Sequence, residues 1–356
     1  MSATLLLPGI TEQTVKTDRL RVAYLTAGTG VVPVVLVHGN GSSSLFFQDF
    51  MLALAARGRY TLYAPDLRGF GSSETLPVDA THGLRDFSED LAAFVGTLGM
   101  HTFHLLGCSL GGNVAMQYAL AHSEQLRSLT LQDPGPPYGF GGTKGAEGTA
   151  VWPDYAGSGG GMLNPDFVQR LARGDRGSEP FSPRTVLKTL VFKPSFQLPP
   201  DREEIYLTSM LLTKATPENF PGDFTTSPHW PGFAPGTRGV MNAFSPKYLN
   251  QASLAAMSPK PPVLWLRGAD DQLVSDTSLF DPSVLGQVGL LPHWPGPEVC
   301  PPQPMVTQIR TVLNAYRANG GDYREVVVPD CGHMPLIEKQ DEVVRVFADF
   351  VMAQEK

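Results

Sequence analysis

Cysteine is scarce in this chain: three residues, Cys108, Cys300 and Cys331, among 356. The number is odd and no C-x-x-C spacing occurs, which argues against a disulfide framework and fits reduced thiols. Charge is sparse too, at 17% of residues with a net charge of −7. No run of Lys or Arg exists to neutralise phosphates, so no nucleic-acid partner is expected. Long apolar runs are missing, and Met1 to Pro8 has no basic start; no membrane partner or secretory leader is expected, and the location read from this is cytoplasmic. Neither G-x-G-x-x-G between strand and helix nor G-x-x-x-x-G-K-[ST] occurs, and the eight histidines are scattered without a carboxylate-histidine cluster. No organic cofactor and no metal are implied.

Hydrophobic residues make up 42% of the chain, enough for one large core and an appended subdomain. Short apolar runs at Leu20 to Ala27, Val34 to Val37, Thr61 to Pro65, Phe103 to Cys108, Leu126 to Leu131, Pro262 to Gly268 and Arg324 to Val328 read as strands. Between them lie helical patterns. Ser42-Ser43-Ser44 caps a helix running to about Arg57, and Phe87, Leu91, Phe94, Val95 and Leu98 form an apolar face that stops at Gly99. Met305, Ile309, Val312 and Tyr316 form another, as do Val343, Phe347, Phe350 and Val351. Strands alternating with helices imply an α/β fold with a mostly parallel sheet covered on both faces.

The strand at Phe103 breaks into Gly107-Cys108-Ser109-Leu110-Gly111, a G-x-S-x-G nucleophile elbow. A Cβ at either glycine would crowd a strained turn that lifts the serine hydroxyl out of the sheet. A serine hydroxyl is a weak nucleophile and needs an imidazole to take its proton, with a carboxylate fixing that imidazole's tautomer. Candidates follow in the order serine, acid, histidine: Gly268-Ala269-Asp270-Asp271 after one strand, and Asp330-Cys331-Gly332-His333 after the next. Asp271, Asp270 and Asp133, which ends the Leu126 strand, all remain open as the acid. Cys108 is not read as the nucleophile, because shifting the frame would put leucines where the glycines must be.

With Val34-Val35-Leu36-Val37-His38-Gly39-Asn40-Gly41 and Asp66-Leu67-Arg68-Gly69-Phe70-Gly71-Ser72 upstream, the chain resembles the α/β-hydrolase superfamily, and in particular its capped bacterial serine hydrolases. The resemblance covers residues 20–134 and 260–354. It implies an eight-stranded, mostly parallel sheet with helices on both faces and an inserted cap. Core residues would be 1–134 and 260–356, the cap 135–259, and an extended loop and helix would occupy 276–322. It also implies a Ser109, Asp271, His333 triad, following the family's G-x-x-D pattern, and an oxyanion hole from the backbone amides of Asn40 and Leu110. His38 would brace its loop. Members with aspartate at the elbow displace halide or open epoxides; Ser109 points instead to an acyl-enzyme.

The expected substrate is a small, mainly apolar carboxylic ester or lactone, the latter because His38-Gly39-Asn40-Gly41-Ser42 resembles the loop of some lactone-hydrolysing members. Carbon–carbon, amide and perhydrolase chemistry use the same triad, and some proteins of this fold are small-molecule receptors. Pro-His-Trp-Pro-Gly occurs twice, at 228–232 and 292–296. Trp230 and Trp294, with Trp152, are candidate pocket residues, set against a reading as rigid surface loops. Phe167, Phe192, Tyr206 and Phe244 either line the pocket or fill the cap's own core.

Overall fold

A computed structural model describes residues 5–355, so the first four residues of the Met1–Pro8 stretch lie outside it. Eight strands form one sheet: β1 (Thr11–Lys16), β2 (Arg21–Ala27), β3 (Val32–Val37), β4 (Tyr60–Pro65), β5 (Phe103–Cys108), β6 (Leu126–Gln132), β7 (Val263–Gly268) and β8 (Tyr323–Val328). Their order is β1-β2-β4-β3-β5-β6-β7-β8. β2 is antiparallel to β1 and β4, and the remaining neighbours are parallel.

The central strands are apolar because both faces are covered: every residue of β5 is buried, as are Val34 to Val37 of β3. Helices α1 (Gln48–Ala55), α2 (Arg85–Thr97) and α3 (Leu110–His122) pack against this first part of the sheet. α2 buries Phe87, Leu91, Phe94 and Val95 and ends just before Gly99, whose φ of +67° suits a residue without a Cβ.

Two local expectations change. β1 was not read from the sequence because Thr-Glu-Gln-Thr-Val-Lys is an edge strand exposed along nearly its whole length, with no apolar alternation to reveal it. The helix expected after Ser44 begins instead as a 3₁₀ turn, Ser44–Phe47, capped by the Ser43 hydroxyl, before α1 takes over.

Between β6 and β7 the chain makes α4 (Pro165–Ala172), a short bent helical stretch over Pro183–Val191, and α5 (Pro200–Leu211). This segment is fastened over the strand ends. Arg202 grips Asp49 of α1 through Nε and Nη2 at 2.6 and 2.9 Å, and the Ser43 and Ser209 hydroxyls meet at 2.6 Å. The ring of Tyr206 packs at 4.7 Å on Phe46.

Between β7 and β8 the chain runs through Pro282–Gln287 to α6 (Met305–Ala318), and α7 (Gln340–Ala353) closes the fold. Gln303 ties this excursion to the first loop after β6. Its amide accepts from Gly141 N–H at 2.7 Å and donates to Gly139 O at 2.9 Å and Thr143 Oγ1 at 2.7 Å. Among the described residues no helix is long and apolar enough to cross a membrane.

Candidate active site

The parallel strands end at one edge of the sheet, and the motif residues follow immediately: His38 after β3, Ser109 after β5, Asp133 after β6, Asp271 and His333 in the loops after β7 and β8. Ligands bind at such edges because the loops there converge while the strands hold them rigidly.

Ser109 has φ +54° and ψ −124°, a strained conformation for a residue with a side chain. The glycines around it are required by contact. A Cβ on Gly107 would lie 2.1 Å from Gly111 O, and one on Gly111 would lie 2.2 Å from Val37 O. The turn is held by Ser109 N–H donating to Gln132 O at 2.9 Å and by Gly112 N–H donating to Ser109 O at 2.8 Å. Helix α3 starts at the next residue, so its N-terminus faces the serine. Ser109 Oγ makes no hydrogen bond among the described residues and opens into the same cavity as His333. In unliganded sites such contacts are commonly long and tighten only around substrate.

His333 and Asp271 are both buried, with His333 Nδ1 2.7 Å from Asp271 Oδ2. The other carboxylate oxygen accepts from Leu273 N–H at 2.7 Å and Val274 N–H at 3.1 Å, which fixes the side chain's orientation. Asp270 points elsewhere: it is half exposed and paired with Lys193 at 2.7 Å. Asp133 reaches the same buried neighbourhood as Asp271 and His333, the three offering atoms within 4.8 Å of one another. This is also the cluster with the ligand types a metal would want. The 2.7 Å separation of Asp271 Oδ2 and His333 Nδ1 is that of a hydrogen bond, which accounts for the pairing of those two groups.

The loop after β3 is built around buried polar groups. His38 Nε2 accepts from Leu67 N–H at 3.0 Å, while Nδ1–H donates to Gly39 O at 2.8 Å. Burial lowers its pKa to about 4, which keeps the ring neutral and suited to that pair of bonds. Asp66 accepts from Ser44 N–H and Ser72 N–H, each at 2.8 Å, and so joins the two upstream motifs. Arg68, from the same motif, forks onto Asp90 of α2 at 2.5 and 2.7 Å.

The backbone N–H groups of Asn40 and Leu110 have no partner among the described residues. Both flank Ser109: Leu110 is its neighbour in the chain, and a Cβ on Gly39 would come within 3.4 Å of Ser109 Oγ. The Asn40 side chain donates to Met241 Sδ at 3.4 Å.

A cavity of about 120 Å³ opens above these groups. Its walls are Phe46, Phe140, Phe167, Phe220, Phe244 and Phe280 with aliphatic neighbours, and its polar groups are confined to Ser109, His333, Asn40 and Ser42. Of the aromatics considered from sequence, Phe167 and Phe244 line this space, whereas Phe192 and Tyr206 pack on one another with ring centroids 5.8 Å apart.

The tryptophan expectation is corrected. Trp152, Trp230 and Trp294 do not line the cavity. Trp152 stacks on His229 at 4.6 Å, and the other two indoles donate to the backbone oxygens of Pro292 and Cys300, each at 2.9 Å. Trp230 and Trp294 thus satisfy their indole N–H groups among the loops, which braces the loops on each other. Phe46, Leu273, Val274 and Phe280 were missed as lining residues. Leu273 and Val274 adjoin Asp271, which is the signal that could have found them.

A profile described as alpha/beta hydrolase fold matches residues 32–281. Curated relatives include haloalkane dehalogenase 2 of Mycobacterium tuberculosis (32% identical, covering 32% of this chain and 38% of that protein). Another is pimeloyl-[acyl-carrier protein] methyl ester esterase of Aeromonas hydrophila (34% identical, 39% and 51%). The chain therefore spans about half or less of the length of these relatives. Solved structures similar in fold include a thermophilic esterase from Thermogutta terrifontis (TM-score 0.56, 20% identity, 97% of this chain and 100% of that one). A serine hydrolase from Cycloclasticus zankles is a second (TM-score 0.62, 17% identity, 96% and 98%). With the sheet order, the elbow and the profile match in agreement, this chain belongs to the α/β-hydrolase family.

Proposed function

We propose that the protein is a serine hydrolase that cleaves a small, mainly apolar carboxylic ester or lactone through an acyl-enzyme. One observation carries the reading: Ser109 and His333 stand on the polar patch of a cavity whose other walls are almost wholly apolar. Such a wall holds an acyl chain at about 0.8 kcal/mol per buried methylene and excludes water, which strengthens the hydrogen bonds at the reacting carbonyl.

In this reading Ser109 Oγ attacks the carbonyl carbon while His333 Nε2 takes the hydroxyl proton, and Asp271 holds the imidazolium through Nδ1–H. The carbonyl oxygen becomes an oxyanion and accepts from the N–H groups of Asn40 and Leu110, which are preorganised for it. As the intermediate collapses, His333 returns the proton to the leaving alkoxide. Water, deprotonated by His333, then attacks the acyl-Ser109 ester, and the acid departs as the serine regains its proton. Residues 135–259 act as the cap that supplies Phe140, Leu163, Phe167, Val186, Met210 and Phe244 to the acyl side.

A fluorophosphonate tests the nucleophile. It should label Ser109 stoichiometrically, and Ser109→Ala should lose labelling and turnover while keeping its denaturation curve. Parallel panels of chromogenic esters and of lactones, the latter followed by acid release, assign the substrate class. Saturable ligand binding without turnover, retained in Ser109→Ala, would favour a receptor instead.

A further inference from the structure

Asp133 follows β6 directly and holds φ +40°, a strained backbone state for a residue with a side chain. Its N–H donates to Leu266 O at 2.9 Å, and Gly268 N–H donates to its Oδ1 at 3.0 Å. These bonds turn the carboxyl inward, among Asp271 and His333, where its Oδ2 is buried without a partner that the heavy-atom geometry satisfies. The titratable groups that face it are Asp271 and His333, with the buried thiols of Cys108 and Cys331 close by. Arg267 acts on it from β7 but is itself paired with Glu325 at 2.8 Å.

Two carboxylates this close and this buried do not both ionise. Asp271 has the better claim to the charge, because it accepts from two backbone N–H groups and faces His333. Asp133 has one such donor. Burial first, and then the charge on Asp271, push its carboxyl well above the usual carboxylate range.

We propose that Asp133 is a second, proton-bearing carboxyl of this site, a positioning residue that donates its hydrogen to Asp271 and replaces it as the partner of His333 when Asp271 is removed. The proposal rests on the serine-hydrolase reading for its kinetic consequences, but the carboxyl pair can be seen without turnover. When Asp271→Asn removes the neighbouring charge, Asp133 loses its proton to solvent and the resulting carboxylate accepts from His333 Nδ1–H.

The test uses Asp133→Asn, Asp271→Asn and the double variant, with the low-field NMR signal of the His333 Nδ1 proton as readout beside kcat. The signal should survive in either single variant and vanish in the double. Turnover should fall by at most about 10² in Asp271→Asn and by the order of 10⁴, typical of a triad without its acid, in the double. Loss of the signal in Asp271→Asn alone would overturn the proposal, as would Asp133→Asn costing the same factor in both backgrounds. If the double variant does not fold, the pH profile of Asp271→Asn decides: an acid limb at or above that of the parent supports the exchange, and one shifted lower refutes it. Failure of the fluorophosphonate to label Ser109 in the parent would sink the hydrolase reading and leave the NMR result to judge the carboxyl pair separately.

Discussion

Gly39 is pressed against Ser109: a Cβ built on Gly39 would stand 2.8 Å from Ser109 Cβ and 3.2 Å from Cys108 O. The loop carrying Asn40 and the elbow carrying the serine therefore share one contact, and neither can move alone. Gly39→Ala should force them apart by several tenths of an ångström, displacing the Asn40 N–H proposed to hold the oxyanion. Such a loss costs on the order of 10² or more in kcat. Steady-state kinetics and the rate of fluorophosphonate labelling should fall together; a fully active Gly39→Ala would show that the loop does not supply the donor.

The cavity walls give a chain-length prediction. Across esters from acetyl upward, kcat/KM should rise about fourfold per methylene, the equivalent of about 0.8 kcal/mol, until the chain fills the space. Val191→Trp, which adds bulk to the wall, should move the optimum to shorter acyl groups. Trp230→Ala should not reshape this profile, since that indole lies on a loop outside the cavity. The opposite pattern would restore the tryptophans to the pocket.

The side chains of Arg68 and Asp90 are each only 6% exposed and are joined by two hydrogen bonds. Removing one partner strands a buried charge, which typically costs about 3–5 kcal/mol. Asp86, 3.1 Å from Arg68, relieves part of that cost, so Asp90→Ala should lower the denaturant midpoint substantially, and Asp86→Ala by less. Equal, small shifts for both variants would count against a buried pair of this kind.

The pH dependence of stability should carry a contribution from His38. Its native pKa of about 4 lies below the ordinary 6.5, so the unfolded chain binds the extra proton first. Stability from this group is complete above pH 6.5 and is lost as pH falls towards 4, by on the order of 3 kcal/mol in all. Asp281, raised to about 6 by burial, titrates in the same range with the opposite sign. The comparison must therefore be made with His38→Gln. Denaturation curves from pH 7 to 4 should converge for the two proteins as the parent loses its advantage, and parallel curves would contradict a buried neutral imidazole.

What the sequence determined by itself is local and periodic. The apolar runs of β3 and β5 had to be buried on both faces, and the glycines at 107 and 111 announced a turn that no larger residue could make. The identity of Ser109 and the order of Ser109, Asp271 and His333 are likewise properties of the chain. Tertiary structure decided matters that depend on where remote segments meet. Asp270 and Asp271 are adjacent in sequence, yet one pairs with Lys193 at the surface and the other meets His333, because the turn between them points successive side chains in different directions. The two Pro-His-Trp-Pro-Gly loops looked alike and aromatic enough for a pocket, but their indoles found backbone acceptors away from Ser109, while phenylalanines from six separate stretches of chain closed around it. Asp133 shows the same limit most sharply. Its place at the end of a strand made it one of three candidate acids, and only the packing of β6 against β7 brings its carboxyl beside Asp271 and His333 together.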